Sequence, residues 1–183
     1  MSTIIKQQEE IKKKILDFTV RGVESFLTEN PDLEFYAFAF DCNAEYTEIN
    51  LCFNTEEDFD ETLKYYQKGK YAQYYQTERD IEELKYNTGD WEYQCFETMF
   101  VFTEKELNEI FREFPDDNYE SWNEFVRHFL EVCTECIIEF VTTETYKKIP
   151  KTKDFIAFCI DHDESIEEAM ERLERIRLQT KES

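Results

Sequence analysis

The sequence predicts an α+β fold: a small, mostly antiparallel sheet packed with several amphipathic helices, in a single domain over residues 1–183. Three observations carry this reading. Two short continuous apolar runs, at residues 35–40 and 155–160, have the make-up of strands covered on both faces. Longer segments repeat their apolar residues at helical spacing. A chain of 183 residues holds one domain with a real core and is too short for two comfortable ones.

The elements follow in order. Ile4, Gln8, Ile11, Ile15, Phe18, Gly22, Val23 and Phe26 lie on one helix face, which predicts a helix over about residues 3–29. Asn30-Pro31 ends it, because proline pushes the residue before it out of the α region. Phe35-Tyr36-Ala37-Phe38-Ala39-Phe40 is the first strand, and Asn43-Ala44-Glu45 turns the chain. Ile49, Leu51 and Phe53 then alternate with Glu48, Asn50 and Cys52, so the two runs make a hairpin. Asn54 or Thr55 caps a helix whose first turn, Glu56-Glu57-Asp58, suits the positive end of the helix dipole. Residues 65–93 carry tyrosines without a clean period and receive no assignment. Thr103 and Glu106 form a capping box for a helix reaching Phe114, closed by Pro115-Asp116-Asp117. Trp122, Phe125, Val126, Phe129, Cys133, Cys136, Ile137, Phe140 and Val141 mark the next helix, about 118–145. Residues 155–160 are the last strand. Ser165 with Glu168 opens a final helix on Ile166, Ala169, Met170, Leu173 and Ile176.

Charge narrows the function classes. With 43 Asp and Glu against 21 Lys and Arg, the net charge is −22 at pH 7, yet 17 Phe, 11 Tyr and 2 Trp exclude an acidic disordered tail. Such a field repels phosphate backbones and anionic lipid, so neither nucleic acid nor a membrane is the expected partner. The imbalance is local: residues 31–146 hold eight basic and 29 acidic side chains, a net of −21. The first ten residues lack the apolar run of a signal peptide, and no stretch approaches the roughly 20 apolar residues of a membrane span. The expected location is cytoplasmic. There the six cysteines read as reduced core thiols.

Few side chains form a recognisable reaction centre. Cys133-x-x-Cys136 falls in mid-helix on the apolar stripe with no second pair, so it is assigned to the core and not to a metal or redox site. His128 falls off the centre of that stripe and is expected on its flank or at the surface. His162, in Asp161-His162-Asp163-Glu164, follows a buried strand, where carboxylates can orient a base or bind a cation; the alternative is a polar turn feeding the next helix. Three glycines do not build a phosphate loop. No cofactor and no metal are expected.

The densest feature is residues 56–93. Tyr65, Tyr66, Tyr71, Tyr74, Tyr75 and Tyr86 fall here beside Glu56, Glu57, Asp58, Asp60, Glu61, Glu78, Asp80, Glu82, Glu83 and Asp90, followed by Trp91 and Tyr93. Tyrosine with carboxylates makes a binding face of rigid apolar area plus steering charge. Glu57, Asp58, Tyr74, Tyr75, Asp90 and Trp91 are the expected face residues. The other reading has half the tyrosines in the core and the acids as a solvated rim.

Three segments carry a family resemblance. Glu34-Phe35-Tyr36-Ala37-Phe38-Ala39-Phe40 followed by a turn, a strand and Asn54-Thr55-Glu56-Glu57 resembles a bacterial family catalogued as domain of unknown function 4303. So does Leu84-Lys85-Tyr86-Asn87-Thr88-Gly89-Asp90-Trp91-Glu92-Tyr93, which is similar to a family segment ending in Trp-x-Tyr, and so does the late strand with Asp161-His162-Asp163. The resemblance brings no activity and no catalytic residue. In size and acidity the family is similar to immunity proteins encoded beside bacterial toxins. The expected function is therefore a non-enzymatic domain that occludes a basic protein partner, such as a toxin nuclease. The rival is an enzyme or cation-binding domain centred on Asp161-His162-Asp163.

Overall fold

A computed structural model describes residues 3–112 and 119–182. The side chain of Ile4, the expected helix end at Phe114 and the stop at Pro115-Asp116-Asp117 lie outside the described residues. In chain order the elements are α1 (Thr3–Glu29), β1 (Phe35–Asn43), β2 (Glu48–Asn54), α2 (Glu56–Tyr66), α3 (Glu78–Lys85), β3 (Tyr93–Phe100), α4 (Glu104–Arg112), α5 (Tyr119–Phe140), α6 (Glu144–Lys148), β4 (Lys151–Asp161) and α7 (Ile166–Glu182).

The α+β class holds. The sheet is mixed, with order β3-β2-β1-β4. β2 pairs antiparallel with both β1 and β3, whereas β4 runs parallel to β1, placing Asp41 beside Ile160 and Cys42 beside Asp161. A parallel neighbour needs a long crossover, and the chain between β2 and β4, with its helices α2 to α6, supplies it. Periodicity alone carries no strand direction, which is why the expectation leaned towards a mostly antiparallel sheet.

β1 is buried along six consecutive residues because helices cover both faces of the sheet. On one face Phe35 meets Phe26 of α1 and Phe38 meets Phe140 of α5, with ring centroids 5.9 and 5.3 Å apart. On the other, Tyr36 meets Phe59 of α2 and Trp91, at 6.1 and 5.9 Å. α1 lies close enough to the sheet that a Cβ on Gly22 would stand 2.8 Å from Leu51 Cδ1. Glycine is what permits that approach.

The segment left unassigned contains α3 and the start of β3, with single 3-10 turns at Gly69–Tyr71 and Thr88–Asp90. The long helix expected to reach residue 145 stops at Phe140. Thr143 Oγ1 donates to Phe140 O and accepts from Tyr146 N at 3.1 Å, so this one residue closes α5 and caps α6.

Candidate functional site

The tyrosine segment is held by caps and one aspartate. Thr55 Oγ1 accepts from Asp58 N at 3.1 Å and starts α2. Thr77 and Asp80 exchange hydrogen bonds as a capping box and start α3. In the turn that follows, Asp90 accepts from Asn87 Nδ2 at 2.6 Å and from the Tyr66 hydroxyl at 2.7 Å. The bond to Asp90 pushes the Tyr66 hydroxyl up to about 12. Around Tyr66 the rings of Tyr65, Tyr71 and Tyr75 gather at 5.5, 5.9 and 4.9 Å, which makes the aromatic patch contiguous. Tyr65 and Tyr74 remain 68% and 59% exposed, more apolar area than a satisfied core would leave in water.

Beside this patch runs a groove of 500 Å³. Tyr74, Tyr75 and Tyr86 line it together with Asp80, Glu83 and Glu164. Burial first, and then the fields of Asp90 and Asp80, push the Tyr75 hydroxyl up, so it stays protonated and able to donate. Such a channel matches an extended cationic side chain, with aromatic faces for its stem and carboxylates for its head.

The groove borders a second cleft of 320 Å³ that shares Asn87, Ile160 and Glu164 with it. This cleft lies at the carboxyl ends of β1 and β4, where parallel strands characteristically present ligand sites. Asp41, Asp161 and His162 line it, with Asn50, Thr88 and Cys95. Burial pushes the carboxyls of Asp41, Asp161 and Glu164 above the ordinary range. Asp161 Oδ1 accepts from Ala44 N at 2.9 Å, while Asp161 N donates to Glu164 Oε2 at 3.1 Å. Glu164 in turn pairs with Arg172, which is only 8% exposed. Arg172 Nε donates to Thr134 Oγ1 at 2.9 Å and Nη2 to Cys159 O at 2.8 Å. The acidic turn is thus an anchor tying β4, α5 and α7 together. His162 is exposed, and its backbone N–H extends the strand pairing to Cys42 O at 2.9 Å.

The expected face residues separate. Tyr75 and Asp90 come together around Tyr66 and Tyr74 joins Tyr75 on the groove, while Glu57 and Asp58 sit at the opposite end of α2. Trp91 is a correction. It is 2% exposed and its Nε1 donates to Lys85 O at 2.9 Å, so core packing and a satisfied N–H remove it from the surface. Asp163 is exposed and outside the cleft lining. Asp41 and Arg172 were missed. Each left a trace in the sequence: a carboxylate closing a buried strand run, and an arginine on the apolar stripe of Ala169, Leu173 and Ile176.

Cys133 and Cys136 are buried. Cys136 Sγ lies 3.9 Å from Lys12 O, and burial pushes its thiol up. Cys133 joins Cys42 and Cys159 in a group whose sulfurs lie within 4.8 Å of one another, wholly inside the core. Among the described residues no fourth ligand completes a tetrahedral zinc site there. The sulfurs of Cys52 and Cys95 and a carboxylate oxygen of Asp41 form a second group within the same span.

These features define an acidic α+β domain with a tyrosine- and carboxylate-lined groove next to a polar cleft at the carboxyl ends of two parallel strands. The chain belongs to the family described as a domain of unknown function (DUF4303), matched over residues 15–177. No curated protein and no solved structure matches it. Among the described residues no helix is long and apolar enough to cross a membrane.

Proposed function

We propose that this chain is a non-enzymatic, cytoplasmic binding protein that holds a basic protein partner in the groove of Tyr74 and Tyr75, as an immunity protein covers the phosphate-binding surface of a toxin nuclease. The observation that carries the reading is the groove itself, which sets Tyr74, Tyr75 and Tyr86 against Asp80, Glu83 and Glu164. Aromatic side chains at the centre of an interface dominate its affinity, and complementary charge chooses the partner. The test is titration calorimetry with the purified protein encoded beside this one. Tyr74→Ala is expected to weaken binding about 10- to 100-fold, and Glu83→Lys to weaken it further by placing like charge against the partner. An acidic partner, or affinity indifferent to both variants, would sink the reading.

A second reading, an enzyme or cation-binding domain centred on Asp161-His162-Asp163, has one observation in its favour: the cleft where half-buried carboxyls stand beside His162. It predicts a rise in melting temperature with at least one of Mg²⁺, Ca²⁺, Mn²⁺ or Zn²⁺. No rise across that panel removes the cation-binding form of the reading and most of its support.

A further inference from the structure

Cys95 differs from the other five cysteines: it is exposed and they are buried. It lies on the edge strand β3, where the ladder to β2 slips between the pairs Leu51↔Glu97 and Phe53↔Tyr93. Between those pairs one residue of β2, Cys52, faces three of β3, Gln94, Cys95 and Phe96. The extra length is absorbed with Cys95 at φ 50, a left-handed backbone in which a non-glycine residue is uncommon. Bulges of this kind re-aim a side chain. Opposite the slip is Cys52. Its sulfur accepts from Cys95 N at 3.3 Å, and the two sulfurs lie within 4.8 Å of each other, with Cys95 on the wall of the polar cleft and Cys52 buried behind it.

We propose that Cys95 and Cys52 form a peroxide-oxidisable pair, with Cys95 the attacking thiol and Cys52 the one that closes an intramolecular disulfide. The roles follow from placement. Cys95 meets solvent, and the adjacent Cys52 sulfur draws its thiol below the ordinary value against burial and the fields of Asp41 and Glu48. Cys52 is pushed up, first by Cys95 beside it and then by burial, so it keeps its proton until the second step. The surrounding carboxylates repel an anionic oxidant such as oxidised glutathione, which leaves a neutral hydroperoxide as the electron acceptor.

In the first step the Cys95 thiolate attacks the peroxide. An S–O bond forms, the O–O bond breaks, and the departing oxygen leaves as an alcohol, or as water from hydrogen peroxide, after taking a proton. In the second, the Cys52 sulfur attacks Cys95 sulfur. The S–O bond breaks, and hydroxide leaves as water with the Cys52 proton. Two thiols have lost two electrons, and the hydroperoxide has been reduced by two. The sulfurs need only close to the roughly 2 Å of a disulfide bond. The bond would pin the edge strand to β2 at the point where the ladder now slips.

The experiment treats the purified protein with hydrogen peroxide under native conditions, alkylates the remaining thiols after unfolding, and maps the digest by mass spectrometry. Expected is a linked peptide pair, Cys52 to Cys95, in monomeric protein and two hydrogens lighter than the reduced pair. Cys95→Ser is expected to abolish it, and Cys52→Ser to carry Cys95 on to the sulfinic acid. The proposal is overturned if Cys52 stays fully alkylatable while Cys95 becomes a sulfinic acid, links two chains or resists oxidation. The map of the unsubstituted protein decides the matter even if a variant fails to fold.

Discussion

Asp41 shows how single side chains set the character of the cleft. Its carboxyl is pushed up by burial, against the Thr88 hydroxyl and the field of His162, while Asp161 and the Cys159 thiol push the same way as burial. Glu48 and Cys95 also line that cleft. A carboxyl whose folded pKa lies above its unfolded value binds its proton more tightly in the folded state. The stability it contributes is complete below the ordinary Asp value of about 4 and is lost as pH rises through the folded value. Asp41→Asn keeps the acceptor for Thr88 and removes the charge. It is therefore expected to be more stable than the unsubstituted protein at pH 7, with the gap closing towards pH 4, as read by urea unfolding at both. A gap that ignores pH would show that ionisation is not its cause. The same comparison of partner against exposure sorts the aromatic residues. Tyr36 is buried because its hydroxyl reaches Lys85 O at 2.5 Å and accepts from Asn54 Nδ2 at 3.0 Å. Trp91 follows it because the same carbonyl takes its Nε1–H. Composition counts aromatic residues without showing which of them find such partners, which is why Trp91 looked like a surface residue.

At the scale of elements, the ion pair of Arg172 and Glu164 links the last helix to the rest. Arg172 of α7 reaches Thr134 of α5 and the Cys159 carbonyl of β4, and Glu164 holds its charge. Removing one member strands the other in a dry environment. Arg172→Leu is expected to cost about 3–5 kcal/mol in chemical unfolding, with Arg172→Leu/Glu164→Gln recovering part of that. A double variant no more stable than the single one would place the cost in lost packing instead. α1, α4 and α7 were legible because each pairs a clear apolar face with a capping or stop signal: Asn30-Pro31, Thr103 with Glu106, and Ser165 with Glu168. β3 was not. Its apolar residues Tyr93, Phe96 and Met99 recur every third position, because the slip at Cys95 breaks the period of two by which a strand is recognised. The end of α5 was hidden for a different reason. Threonine hydroxyls bond backbone carbonyls as readily within a helix as at its end, so Thr142 and Thr143 carry no stop signal of their own. The groove shares this illegibility: Glu164 and Ser165 reach Tyr74 only through the placement of β4 against β1, a contact with no local signature.

Across the whole molecule, the fold redistributes a charge that the sequence concentrates in the middle of the chain. Lys12 of α1 pairs with Glu135 and Glu139, and Arg175 of α7 with Glu131. The near-neutral ends thus lend their cations to the acids of α5. Residues 56–112, which carry α2, α3, β3 and α4, hold 15 acidic and seven basic side chains, and the groove lies within that field. Two kinds of residue then act on different steps of binding. Exposed carboxylates such as Asp60 and Glu61 steer a basic partner from a distance, whereas Tyr74 holds it after contact. Steering is screened by salt, because the Debye length shrinks to about 8 Å at physiological ionic strength. The association rate is therefore expected to fall about tenfold or more between roughly 50 and 200 mM salt, with the dissociation rate nearly constant. Asp60→Asn/Glu61→Gln is expected to lower the association rate and flatten that salt dependence. Tyr74→Ala should leave both alone and raise the dissociation rate. Stopped-flow binding resolves the two rates. If Tyr74→Ala changed only the association rate, or if the carboxylate variant changed only dissociation, the division between a steering field and an aromatic anchor would be wrong, and with it the role assigned to the acidic centre of the chain.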